Sequence, residues 1–181
     1  MRSTPHIVVS LTLIAGLLVS CTTAPSTPGD RDVLLQRATT VMSEMNKDDP
    51  GLDELTRKAY GYAVFPEIAK GGLVFGGGYG RGVVYEQAQI IGYADLSQAS
   101  FGLQMGGQTY SEIIVFENKA ALDLLKQGRL EFAADASAVI LKTGAAANAR
   151  FVDGFAVFVR PIGGAMVEAA IGGQQVTFAP K

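Results

Sequence analysis

From Tyr60 onward, short runs rich in Val, Ile, Tyr and Phe alternate with five Gly-Gly pairs, at Gly71-Gly72, Gly76-Gly77, Gly106-Gly107, Gly163-Gly164 and Gly172-Gly173. The runs Tyr62–Phe65, Gly72–Phe75, Gly82–Glu86, Ile90–Tyr93 and Glu112–Phe116 have the composition of strands. Glycine weakens a strand interior unless a bulge, a bend or a close backbone approach calls for it. So many glycines among strands therefore point to a strongly curved sheet that closes toward a barrel.

Ahead of the sheet, Val33, Leu34, Ala38, Val41, Met42 and Met45 recur at three- and four-residue spacing from Asp30, which reads as an amphipathic helix. Asn46 to Gly51 ends it, and a shorter helix is expected over Leu52–Ala59. The polar face mixes Asp30, Asp32 and Glu44 with Arg31, Arg37 and Lys47. It lacks the basic character of a membrane-surface helix, so packing on the core is expected. One further helix opens at Glu117-Asn118-Lys119, with Asn118 as its cap, and stops at Gly128. Leu130, Phe132, Ala134, Ala136 and Ala138 then alternate as a single half-buried strand. The expected fold is α+β: N-terminal helices packed on a curved, mainly antiparallel, Gly-rich sheet, with one helix inserted mid-chain. An internal echo, Gly61 to Phe65 against Gly154 to Phe158, suggests related places in one sheet for the two copies.

The N-terminus carries a different signal. Arg2 precedes an apolar run from Ile7 to Val19 and small residues before Cys21, the pattern of a secretory signal. The run is too short to span a bilayer comfortably. Leu18-Val19-Ser20-Cys21 resembles the lipobox of bacterial lipoproteins, which makes Cys21 the lipidated first residue of the mature chain. One acyl chain holds weakly, whereas two or three anchor a protein durably. The expected organisation is a signal over 1–20, a lipidated tether over 21–29 that is small, polar and proline-bearing, and one domain over 30–181. Thr22 is not aspartate. By the sorting rule for enterobacterial lipoproteins, the protein is expected at the outer membrane, on its periplasmic or its surface face.

Composition narrows the chemistry. Of 181 residues, 161 remain after position 20, and without Arg2 they hold 14 basic and 17 acidic residues, a net charge of −3. This argues against general nucleic-acid binding. The single histidine, His6, and the single cysteine, Cys21, both lie at the N-terminus. The mature domain is thus without the usual ligands of a zinc site and without a His-based triad. No cofactor and no metal is implied, and a non-enzymatic role is expected. Gly76 to Gly82 contains neither G-x-G-x-x-G nor a Walker loop. Its Gly78, Gly80 and Gly82 share one face of a strand, bare enough for a neighbouring backbone or a ligand to approach, while Tyr79 and Arg81 take the other. Glu131 with Asp135, or Asp95 alone, gives no fixed pair for acid–base work.

The segments Tyr60 to Pro66, Ala69 to Gly72, Gly76 to Gly82, Gln98 to Gln108 and Gly154 to Phe158, with Ala170 to Gln174, resemble in order the motifs of the SYLF domain. That family spans lipid-binding modules of eukaryotic trafficking and actin-patch proteins as well as bacterial lipoproteins. The resemblance implies phospholipid binding, with anionic lipids and phosphoinositides favoured and with actin binding in some members. It puts Lys70 where the family often carries a basic residue before its glycine pair, and Arg81 within the glycine-rich stretch. Arg57 and Lys58 join them on charge alone as candidate headgroup contacts. The alternative expectation is a structural or protein-interaction module of the envelope with no lipid binding beyond its anchor.

Overall fold

The computed structural model describes residues 25, 27–72, 75–101, 107–133, 138–163 and 173–181. Cys21, the signal segment, Asp135 and much of the later glycine pairs lie outside these residues. Helix α1 runs Pro28–Asp48 and α2 runs Gly51–Lys58. Thr27 caps α1 by accepting the Asp30 N–H at 3.1 Å, with proline in the first turn, where its missing N–H costs nothing. Of the inward stripe expected for α1, Ala38, Val41 and Met45 are buried and Leu34 and Met42 half-buried, but Val33, in the first turns ahead of the sheet contact, is exposed.

Eight strands follow: β1 Gly61–Gly72, β2 Phe75–Glu86, β3 Gln89–Phe101, β4 Gln108–Phe116, β5 Leu130–Ala133, β6 Ala138–Ile140, β7 Phe155–Gly163 and β8 Gly173–Pro180. Helix α3, Lys119–Lys126, lies between β4 and β5, and the Asn118 side chain accepts the Ala121 N–H as its cap. The strands form one sheet in the order β5-β8-β3-β2-β1-β4-β7-β6. Every pairing is antiparallel except β6 with β7. The glycine pairs of the first two strands lie at their facing ends, Gly71-Gly72 closing β1 and Gly76-Gly77 near the start of β2, with Gly71↔Gly77 and Gly72↔Gly76 opposed across the ladder.

The expected single strand from Leu130 to Ala138 is instead two. Its start pairs with β8 and its end with β7, at opposite edges of the sheet. Five residue steps from Ala133 to Ala138 reach at most about 18 Å, whereas a flat sheet of eight strands is roughly 34 Å wide. The sheet must curl to bring its edges this close, into a half-barrel. The ring of Phe132 on β5 meets that of Phe155 on β7 with centroids 4.9 Å apart, across that same gap.

The curl divides the core in two. The concave face gathers Phe65, Ile68, Leu96, Ile114, Phe116, Val157 and Val176 with Leu122 and Leu125 of α3. The convex face packs Val64, Val83, Ile113, Val115 and Phe158 beneath α1, α2 and the segment around Leu141 to Ala146. Helix α3 covers the end of the concave face where β1 begins: a Cβ at Gly61 would stand 3.0 Å from Leu122 Cδ2, and Lys126 pairs with Glu86 at 2.8 Å. The bare face of β2 is filled by its own sheet. A Cβ at Gly80 would come 2.5 Å from Ile68 Cγ1, and one at Gly82 would come 2.8 Å from Phe65 Cδ1.

The internal echo has a structural counterpart. β1 and β7 flank β4 on either side. They sit one residue out of step: Ala63 and Val157 both oppose Ile114, so Phe65 faces the concave core and its counterpart Phe158 the convex one. A shift of one residue exchanges the faces of a strand.

Candidate functional site

On the outward face beyond Tyr93, where Arg31 of α1 lies 5.7 Å over the ring, β3, β8 and β5 are exposed at Ser97, Ala99, Gln175 and Glu131. An open recess of about 560 Å³ lies at this end of β3, β8 and β5, lined by Ser97, Ala99, Gln175 and Glu131 together with the inward-facing Gln98, Phe132 and Gln174. Its size is within the range of small-ligand sites. Strand register builds its floor, because Tyr79 opposes Ser97, Ser97 opposes Gln175 and Gln175 opposes Glu131. Gln175 Nε2 donates to Glu131 Oε1 at 2.9 Å.

Arg81 adjoins this rung. Its Nε donates to Asp95 Oδ1 at 3.0 Å, and its Nη2 reaches the Tyr79 hydroxyl at 3.1 Å. The same hydroxyl donates to Asp95 Oδ1 at 2.9 Å. The hydrogen bond that Arg81 donates to Asp95 raises the Arg81 pKa above its already high value, against the opposing effect of burial. Burial first, then Asp95, holds the Tyr79 hydroxyl protonated. The result is a fixed guanidinium beside a half-exposed phenol, able to donate hydrogen bonds to an anionic or polar group approaching the recess.

Lys70 lies elsewhere. It opposes Gly78 on β2, on the inward side of the sheet, and only 6% of its surface is exposed. Lys70 and Arg81 therefore project from opposite faces. Arg57 and Lys58 are exposed at the end of α2, held in helical ion pairs with Asp53 at 2.7 Å and Glu54 at 2.5 Å. The structure brings together none of these four as a single basic cluster.

Sequence reasoning missed the inward polar residues. Gln98, Glu112 and Gln174 are buried with Tyr110 on the concave side. The Tyr110 hydroxyl donates to Gln98 Oε1 at 2.7 Å, and Gln174 Nε2 donates to Glu112 Oε2 at 3.0 Å. Complete burial pushes the Glu112 carboxyl up to about 7, with the Gln174 hydrogen bond opposing. Among the described residues, no three His, Cys, Asp or Glu side chains gather as metal ligands.

The described residues thus form a curled sheet with helices on its back and an open recess at one end, an α+β fold. Residues 97–176 match the Ysc84 family, described as Las17-binding protein actin regulator. Over those residues the chain is similar to this family, the SYLF resemblance read from the sequence. It is also 29% identical over 139 residues to Beta cell expansion factor A of Aeromonas veronii, a match covering 76% of this chain and 53% of that protein. The chain thus spans about half the length of that curated relative.

Proposed function

We propose that this protein is a lipid-anchored bacterial envelope protein whose SYLF domain binds phospholipid without catalysing a reaction. The observation that carries the reading is the open recess of about 560 Å³ beside the Arg81–Tyr79–Asp95 network. A recess of this size suits a headgroup and the first part of its chains, with Arg81 offered to a phosphate. The lipobox-like Leu18-Val19-Ser20-Cys21 supports anchoring, and Thr22 supports the outer membrane as its destination. The anchor supplies the attachment, and the recess supplies selectivity for a further lipid, anionic headgroups being favoured. Lys70 enters the reading only from the inward side of the sheet.

Flotation of the Cys21→Ser protein with vesicles of graded anionic content tests this. Binding is expected to rise with anionic lipid and fall with salt. It should drop about fivefold in Arg81→Ala, from roughly 1 kcal/mol per basic residue near an anionic surface, while the variant keeps its circular dichroism spectrum. Absence of binding to every mixture would sink the reading and favour a tethered protein-interaction module.

A further inference from the structure

Two hydrogen bonds cross the concave side of the half-barrel. Gln174 of β8 reaches Glu112 of β4, and Tyr110 of β4 reaches Gln98 of β3. In the sheet order, β8 and β3 lie on one side of the glycine-bearing β2, and β4 lies on the other beyond β1. These side chains therefore tie one half of the curl to the other. They do so away from α3, which covers the opposite end through Leu122 and Lys126.

The tie is chemically unusual. Glu112 has no exposed surface and Gln174 has 2%. Glu112 Oε1 and Gln174 Oε1 are both buried without a hydrogen-bond partner. A carboxylate so placed accepts one hydrogen bond where it has capacity for several. A neutral carboxyl in the same place adds a donor and removes the charge that burial penalises. The residues around it supply little compensation. β2 presents glycine at Gly78, Gly80 and Gly82, β3 presents the Gln98 amide, and β7 presents Val157 and Val159. The charged residues of α3 point outward, Lys119 pairing with Asp123 and Lys126 with Glu86, and Glu131 of β5 is exposed. The inward titratable neighbours are Tyr110, whose hydroxyl is kept protonated by burial and by Glu112, and Lys70 of β1, toward the glycine-rich end.

We propose that the Glu112–Gln174 pair is a proton-dependent latch, closed across the half-barrel when Glu112 is protonated and loosened when it ionises. An ionised Glu112 regains its lost hydration only if water reaches the concave side, so ionisation loosens the tie between the two halves of the curl. The inference is independent of the lipid reading, since its signature lies in the protein alone.

The sign follows from the raised carboxyl. With an unfolded value near 4.5 and a folded value of about 7, the closed state holds a proton that the opened state releases. Closure is favoured fully below about 4.5 and progressively lost as pH rises through 7. Hydrogen exchange of the mature protein, corrected for the intrinsic pH dependence of exchange, reads this. Protection of β4 and β8 amides around Glu112 and Gln174 is expected to fall about tenfold between pH 6 and pH 8. In Glu112→Gln it should stay within about twofold, because no proton is bound or released there. Equal pH dependence in the two proteins overturns the latch. Should Glu112→Gln fail to fold, a carbon-13 titration of the Glu112 carboxyl in the unsubstituted protein decides. A midpoint near neutrality supports the latch, and one in the ordinary carboxylate range overturns it.

Discussion

Asp49 shows how much one side chain can join. It sits between α1 and α2 with 2% of its surface exposed. Its carboxylate accepts the backbone N–H groups of Ala146 at 2.6 Å, Gly51 at 3.1 Å and Gly144 at 3.2 Å. Burial alone would raise its pKa. The hydrogen bonds from Ala146, Gly144, Gly51 and Ala145 together outweigh that and hold it below the ordinary value of 3.8. Its contribution is therefore full above the unfolded value and lost as pH falls through the folded one. Removing the acceptor leaves one buried and two half-buried donors unpaired, so Asp49→Ala should cost about 3 kcal/mol at pH 7. Urea midpoints at pH 7 and pH 3 check this, with the gap between variant and parent narrowing at the lower pH. Nothing in Asp48-Asp49-Pro50-Gly51 foretells the role. Three of the four stabilising amides lie about a hundred residues away, and a sequence reading of this stretch yields only a helix end.

At the scale of elements, β2 decides how tightly the sheet bends. Its glycines leave no side chain where β1 crowds in: a Cβ at Gly80 would meet Glu67 O at 2.8 Å as well as Ile68, and one at Gly82 would meet Val64 O at 2.7 Å. These contacts fall where the β1–β2 register shifts between Val64 and Ile68, a bulge that bends the strand and raises its twist. Backbone oxygens cannot move aside as a flexible side chain does. Gly80→Ala and Gly82→Ala are each expected to lose roughly 1–3 kcal/mol. Gly71, whose Cβ position is empty to 4 Å, should accept alanine within about 0.5 kcal/mol. Thermal denaturation of the three variants tests the contrast, and equal losses at all three would remove β2 as the source of the bend. The bare glycine face was legible from the spacing of Gly78, Gly80 and Gly82. What fills it was not, since Phe65 and Ile68 arrive through a bulge that the sequence does not announce.

For the molecule as a whole, the α+β order, the α1 stripe, the Asn118 cap and the curl of the sheet were legible because each rests on local chemistry. The concave polar residues were hidden by the sheet's two covered faces. β4 is buried almost throughout, and a strand covered on both sides loses the alternation that marks its inward residues. Glu112 thus reads as one position in an apolar run, and Gln98 and Gln174 read as ordinary surface. The division of Leu130 to Ala138 between two edges was equally hidden, because period-two alternation gives faces and not partners. Yet that division sets the global shape. β5 runs antiparallel to β8 and β6 parallel to β7, which makes the two segments point the same way around the ladder. Cys21 is the single cysteine, so a Cys21→Ser background carrying spin labels at Glu131→Cys and Ile140→Cys reads the gap directly. Both positions are exposed. With at most about 18 Å between the facing chain ends and label arms added, the distance distribution should peak below about 30 Å. A peak at or beyond the roughly 32 Å that nine extended residues allow between the labelled positions would mean that β5 or β6 leaves its edge of the sheet in solution. A closed peak at pH 6 that broadens toward longer distances at pH 8 would carry the Glu112 latch from one side chain to the shape of the whole domain.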